Sequence, residues 1–123
     1  MKAIVVAGSL LLASGSALAM SCDNPRSAYD MTYCAALEMV QSDRELNEQY
    51  KKTMGTLNAD QKKTLKSAQI GWLKVRDNAC AEDSTLLLGC VNEKMAARID
   101  LLKRIERECS NAGCDSAQLS RIE

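Results

Sequence analysis

The chain is 123 residues long and balances 16 Lys and Arg against 16 Asp and Glu, with no histidine, no phenylalanine and one tryptophan. This balance gives no reason to expect nucleic acid or a membrane surface as the partner, because proteins that bind these anionic partners usually have an excess of basic residues. Without histidine the chain lacks the commonest general base and a common zinc ligand. We therefore expect no metal, no cofactor and no enzymatic activity.

The first 19 residues have the three regions of a secretory signal peptide. Lys2 supplies a positive start, residues 3–12 are mainly apolar, and the tripeptide ALA at 17–19 is a cleavage signal of the A-x-A type. We expect this leader to be removed, leaving residues 20–123 as a single domain in the periplasm or outside the cell. The mature chain then carries 15 basic and 16 acidic residues.

Lipidation is the alternative reading of the same segment. Residues 19–22 would then act as a lipoprotein signal and Cys22 would be acylated. Only five of the six cysteines would remain for pairing, and secreted chains favour an even number.

The cysteines behind this leader predict disulfides formed in an oxidising compartment. Zinc is the alternative for clustered cysteines, but the chain has no C-x-x-C pair and no histidine to complete a usual site. Six cysteines allow 15 pairings, and short loops favour the sequential one. The favoured bridges are Cys22–Cys34, Cys80–Cys90 and Cys109–Cys114.

Apolar residues at helical spacing dominate the rest of the chain, and no alternating pattern typical of strands appears. The first helix should begin at Pro25, the second at an SDRE capping box and the third after an NADQ cap, with Gly113 breaking the chain after the fourth. The sequence predicts an all-α fold, a small up-and-down bundle of three to four helices stapled by disulfides. The predicted helices span about residues 25–36, 42–57, 59–80 and 89–108.

At two places on these helices, polar side chains lie on or beside an apolar face. Gln69, Trp72 and Arg76 share one helical face, and we interpret Trp72 as mainly a core residue with polar flanks. Arg98 falls on the apolar face of the last long helix, where an unpaired guanidinium is costly. We expect Arg98 either to extend its guanidinium to solvent or to meet a carboxylate, with Asp43 as the candidate.

Three stretches, SDRELNEQYKK, AQIGWLKVRDNAC and KMAARIDLL, together with Cys22, Cys34 and Cys90, resemble the LprI-type lysozyme inhibitor family over essentially the whole mature chain. The chain departs from the family in a loop at 81–89 that lacks a glycine-serine step and in the added pair Cys109 and Cys114. The recurring residues of the family correspond to Asp43, Leu46, Asn47, Tyr50, Gln69, Trp72, Arg76, Asp77, Cys80, Cys90 and Arg98.

The resemblance implies a protein that binds and blocks a muramidase by occluding its cleft. Residues 20–50 hold six acids and two bases, and the loop at 81–89 adds two more acids, which suits a cationic lysozyme. The candidate partner-binding residues are therefore Glu82, Asp83, Ser84 and Thr85. The alternative is an envelope interaction or toxin-neutralising protein with no muramidase target.

Paired carboxylates can also cleave glycosidic bonds, and three acids lie close together in the second predicted helix. We interpret Asp43, Glu45 and Glu48 as partners of the helix dipole at its N-terminus, and not as a catalytic group.

Overall fold

The computed structural model describes residues 22–123, and it confirms an all-α bundle with three disulfides. The predicted leader, its cleavage at Met20 and the alternative lipoprotein signal lie outside the described residues, apart from Cys22 itself. In chain order the elements are α1 (Ala28–Met54), α2 (Ala59–Cys80), β1 (Ala81–Glu82), β2 (Thr85–Leu86), α3 (Leu88–Asn111) and α4 (Ser116–Leu119).

Helix α1 is continuous where the sequence predicted two helices. It begins after Ser27, whose hydroxyl accepts a hydrogen bond from the backbone N–H of Asp30 at 3.0 Å, so the expected start at Pro25 is wrong. No glycine or proline occurs between Pro25 and Gly55, and a helix without a breaker gains a hydrogen bond for each added residue. The SDRE sequence therefore lies inside the helix, where the preceding turn already satisfies its backbone and no capping box forms.

Helix α2 begins at the cap that the sequence predicted. The Asn58 side chain accepts from the backbone N–H of Gln61, and the Gln61 side chain accepts from the backbone N–H of Asn58, both at 2.9 Å. This reciprocal pair satisfies two donors that the first turn of a helix leaves without partners. The helix then runs to Cys80, as expected.

Helix α3 is the centre of the bundle and packs against α1, α2 and α4. Its N-terminal part lies beside the N-terminal half of α1, since Asn92 donates to the backbone oxygen of Ala35 at 3.0 Å. Its middle lies beside the end of α1, where the buried Thr53 hydroxyl donates to the backbone oxygen of Leu102 at 2.9 Å. Helices α1 and α3 therefore run in the same direction, with α2 returning between them in the chain. The buried residues of α3 are Val91, Asn92, Met95, Arg98, Ile99, Leu101, Leu102 and Ile105.

The three disulfides have the sequential pairing that the short loops favoured, so this prediction is confirmed. Cys22–Cys34 fastens the N-terminal segment to α1, and Cys80–Cys90 joins the end of α2 to the start of α3. Cys109–Cys114 closes the turn after α3, where Gly113 has a φ of 97° that favours glycine. None of the helices described in residues 22–123 is long and apolar enough to cross a membrane.

The C-terminal segment folds back against α2. Leu119 of α4 is buried in the core, and a Cβ atom added to Gly71 would lie 3.2 Å from Cγ2 of Ile122. Gly71 thus allows the chain end to approach the helix closely. This contact closes one side of the bundle around Trp72 and Arg98.

Candidate partner-binding surface

The loop predicted to bind a partner is a short β-hairpin held at its base by a disulfide. Strands β1 and β2 are antiparallel, with Ala81 opposite Leu86 and Glu82 opposite Thr85. Asp83 has a φ of 53°, in the left-handed region that Asp tolerates in tight turns. The Cys80–Cys90 bridge closes the hairpin, which is therefore ordered before any partner arrives.

All four candidate partner-binding residues are exposed at the end of this hairpin. Glu82 and Asp83 present two carboxylates, and Ser84 and Thr85 present two hydroxyls. None of the four has an ion pair among those described in residues 22–123. The hairpin end therefore carries negative charge and hydrogen-bonding groups that face solvent.

Apolar side chains lie directly beside this polar end. Leu86 and Leu87 are 39% and 43% exposed, whereas Leu88 is half-buried at the start of α3. Leu86 and Leu87 are therefore available for contact with a partner, whereas Leu88 is not fully available.

A groove next to the hairpin extends this surface onto α1. It encloses about 290 Å³, and Leu86 forms one wall while Met39 and Val40 of α1 form another. Asp43 and Arg76, two residues of the family motif, also line it. Two positions that are far apart in sequence thus meet beside the predicted partner-binding loop.

Sequence reasoning missed an exposed apolar stripe on the N-terminal half of α1. Its members recur at spacings of three and four residues, which places them on one helical face. Large exposed apolar residues in a row are typical of a contact surface. The spacing was readable in the sequence, but a continuous α1 was needed to align it. The stripe consists of Tyr29 (71% exposed), Tyr33 (46%), Leu37 (40%) and Val40 (53%).

Trp72 is a core residue, as predicted, with 4% of its surface exposed. Two guanidinium groups lie over its ring, that of Arg76 at 5.4 Å and that of Arg98 at 5.6 Å from the ring centroid. Arg76 also pairs with its neighbour Asp77 at 2.8 Å. The shared face of Gln69, Trp72 and Arg76 therefore consists of a buried indole with polar groups at its edge.

The predicted pairing of Arg98 with Asp43 is wrong. Arg98 is buried, and it donates from Nε to Oε1 of Gln69 at 2.8 Å and from Nη1 to the backbone oxygen of Arg121 at 2.6 Å. Asp43 is exposed near the hairpin and accepts a hydrogen bond from Asn47 at 3.5 Å. Arg98 instead faces α2 and the folded-back chain end, which supply neutral oxygen acceptors.

Burial shifts two ionisable groups in this region. Loss of solvation lowers the pKa of Arg98 from its ordinary value to about 10, although Tyr50 partly offsets the shift. Burial likewise raises the pKa of Tyr50 above 10.0, and Arg98 opposes this change. At neutral pH Arg98 therefore remains a cation without a carboxylate partner among the described salt bridges.

The three neighbouring acids Asp43, Glu45 and Glu48 do not form a cluster. Glu45 pairs with Lys103 of α3 at 3.1 Å, and Asp43 contacts Asn47 on its own helix. All three acids, including Glu48, lie inside α1, so their interpretation as partners of a helix N-terminus is wrong. Residues 22–123 contain no group of three His, Cys, Asp or Glu residues that could hold a metal ion.

Two further residues of the family motif lie in the core or pack against it. Leu46 is buried in the core and Tyr50 is half-buried against it. The chain is therefore a small helical domain with three disulfides and an exposed hairpin.

Comparison with known families shows to which family this domain belongs. The family described as "Lysozyme inhibitor LprI" matches residues 22–102, and this chain belongs to it. The Cys109–Cys114 bridge lies beyond the matched residues, in agreement with its interpretation as an addition, and α4 lies beyond them too. No curated protein and no solved structure matches the chain significantly.

Proposed function

We propose that this protein acts in the cell envelope as a lysozyme inhibitor, and that it inserts the hairpin 81–87 into the cleft of the enzyme. The observation that carries the proposal is the position of the four polar candidates at the exposed end of a disulfide-closed hairpin. Membership of the lysozyme inhibitor family supports the target class. An envelope location agrees with three disulfides, which persist in oxidising compartments.

Pre-ordering favours binding through this hairpin. A flexible loop loses conformational freedom when it binds, at a cost of roughly 0.5–1.5 kcal/mol for each side chain that becomes fixed. The Cys80–Cys90 bridge and the hydrogen bond from the N–H of Leu87 to the oxygen of Cys80, at 2.9 Å, fix the hairpin base in advance. Less freedom therefore remains to be lost on association.

Chemical complementarity gives each part of the hairpin a role. The carboxylates of Glu82 and Asp83 attract a cationic lysozyme and increase the association rate. The hydroxyls of Ser84 and Thr85 donate to the catalytic carboxylates in the cleft. Leu86 lies next to them and contributes apolar area at the centre of the contact.

Charge reversal of the hairpin tests the proposal. The double variant Glu82→Lys with Asp83→Lys should slow association with a cationic lysozyme at least tenfold at low salt, while the fold stays intact. The matched control reverses Asp60 and Asp100, two exposed acids on α2 and α3 that lie outside the hairpin and outside the acidic residues 20–50. This control changes the net charge equally but should retain most of the inhibition.

The assay follows lysis of a cell-wall suspension together with surface plasmon resonance at two ionic strengths. Wild-type binding should weaken from low to physiological salt, because exposed charges are screened over about 10 Å at 0.1 M. Equal loss in both double variants would show that only net charge matters and would move the site elsewhere. Absence of inhibition against every lysozyme tried would favour the envelope-partner alternative.

A further inference from the structure

A second recess lies between α2, α3 and the folded-back chain end. It encloses about 350 Å³, which is within the range of small-molecule sites. Trp72 and Arg98 form part of its wall. Among the described residues, none lines both this recess and the groove beside the hairpin, so the two are separate features.

Positive charge dominates the polar part of this recess. Four cationic side chains line it, those of Lys94, Arg98, Arg104 and Arg121, against a single acid, Glu123. None of these five takes part in the ion pairs described in residues 22–123. The recess thus concentrates unpaired positive charge, although the molecule as a whole is nearly neutral.

Arg98 shows that this charge is not compensated within the fold. Its side chain is 2% exposed, yet its Nη2 group has no hydrogen-bond partner among the described residues. A buried guanidinium normally satisfies its donors with a carboxylate, because burial without a partner is costly. Gln69 and the backbone of Arg121 supply oxygens without charge. The missing component is a negative charge.

The rest of the wall is apolar, so the ligand that supplies the negative charge should also have an apolar part. Trp72 contributes an indole, and four aliphatic side chains complete the lining, namely Val75, Ala97, Leu101 and Ile122. Inorganic phosphate would meet the cations but leave this apolar surface in water. An organic acid with a hydrocarbon body would satisfy both parts.

We propose that this recess binds a small organic carboxylate, with its anionic group among the four cations and its apolar body against Trp72. The site does not depend on the proposed inhibition of a lysozyme, since the hairpin and the recess share no described lining residue. Bound carboxylate compensates the charge of Arg98 and also fixes the chain end, whose Ile122 forms one wall.

Trp72 makes the test direct, because it is the only tryptophan in the chain and lies in the wall of the recess. N-acetyl-L-leucine should change the fluorescence of the disulfide-bonded mature protein saturably. Its neutral amide and inorganic phosphate should bind at least about tenfold more weakly, since each lacks one of the two features. Equal binding of the amide, or equal binding of phosphate, would overturn the proposal.

Variants at the rim give a second readout that does not require removal of a buried residue. Lys94→Gln and Arg104→Gln should each weaken binding of N-acetyl-L-leucine by up to about fivefold, the scale of an exposed ion pair. Glu123→Gln should strengthen it, because the one acid of the lining is removed. The matched control is Lys62→Gln, an exposed cation of α2 outside the recess, which should leave affinity unchanged.

Calorimetry of the same variants separates binding from a change in the environment of the indole. Identical affinities in wild type, Lys94→Gln, Arg104→Gln and Glu123→Gln would refute a site at this recess. An equal loss of affinity in the rim variants and in Lys62→Gln would show a nonspecific effect of net charge. That result would also overturn the proposal.

Discussion

Replacement of Trp72 by alanine removes the largest side chain from the core and tests whether the indole is structural. The residue is 4% exposed and contacts the cluster that contains Leu46, Leu65 and Met95. Truncation of a buried Trp to Ala costs roughly 3–5 kcal/mol, from lost transfer free energy and from the cavity that remains. The two guanidiniums over the ring add a smaller amount, about 0.5–1 kcal/mol for an exposed cation–π pair and about 2 kcal/mol for a desolvated one such as that of Arg98.

Thermal unfolding followed by circular dichroism measures this loss. At about 4 °C per kcal/mol for a domain of this size, the midpoint should fall by roughly 12 °C or more. Trp72→Phe retains an aromatic ring and should lose markedly less. An alanine variant that keeps its midpoint but no longer binds a lysozyme would refute the core assignment and make Trp72 a contact residue.

Two further predictions concern a helix cap and a buried phenol. Asn58→Ala removes one half of the capping box with Gln61 and should lower the free energy of unfolding by about 1 kcal/mol in a urea titration; an unchanged midpoint would show that the cap contributes nothing. Tyr50 has a raised pKa, so an alkaline absorbance titration should show a tyrosine ionisation above pH 10 that Tyr50→Phe abolishes. Because the folded pKa exceeds the unfolded one, the stability of the wild type should decline relative to that variant as pH rises from about 10 through the folded pKa. The difference between the two titration curves is the ionisation of Tyr50, and a difference centred at the ordinary pKa of a tyrosine would contradict the buried position of this residue.

Local features of the sequence were sufficient for much of the fold. The cap at Asn58 involves residues only three apart, and α2 followed from its spacing of apolar residues. The disulfides join cysteines separated by 12, 10 and 5 residues, so short loops were an adequate guide to their pairing. The exposed charges of the loop after Cys80 were equally evident, because an acidic turn beside a bridge has few ways to be buried.

Tertiary structure decided the features that depend on distant partners. The SDRE signal of α1 was overridden because a helix already in progress satisfies the backbone groups that a cap would serve. The acceptors of Arg98 come from Gln69 and Arg121, which lie 29 and 23 residues away, and no periodic pattern reveals them. Helical spacing shows that a side chain faces inward, but it does not show which neighbour it meets. The choice between Asp43 and neutral oxygens was made by the packing of α3 on α2 and by the fold-back of the chain end.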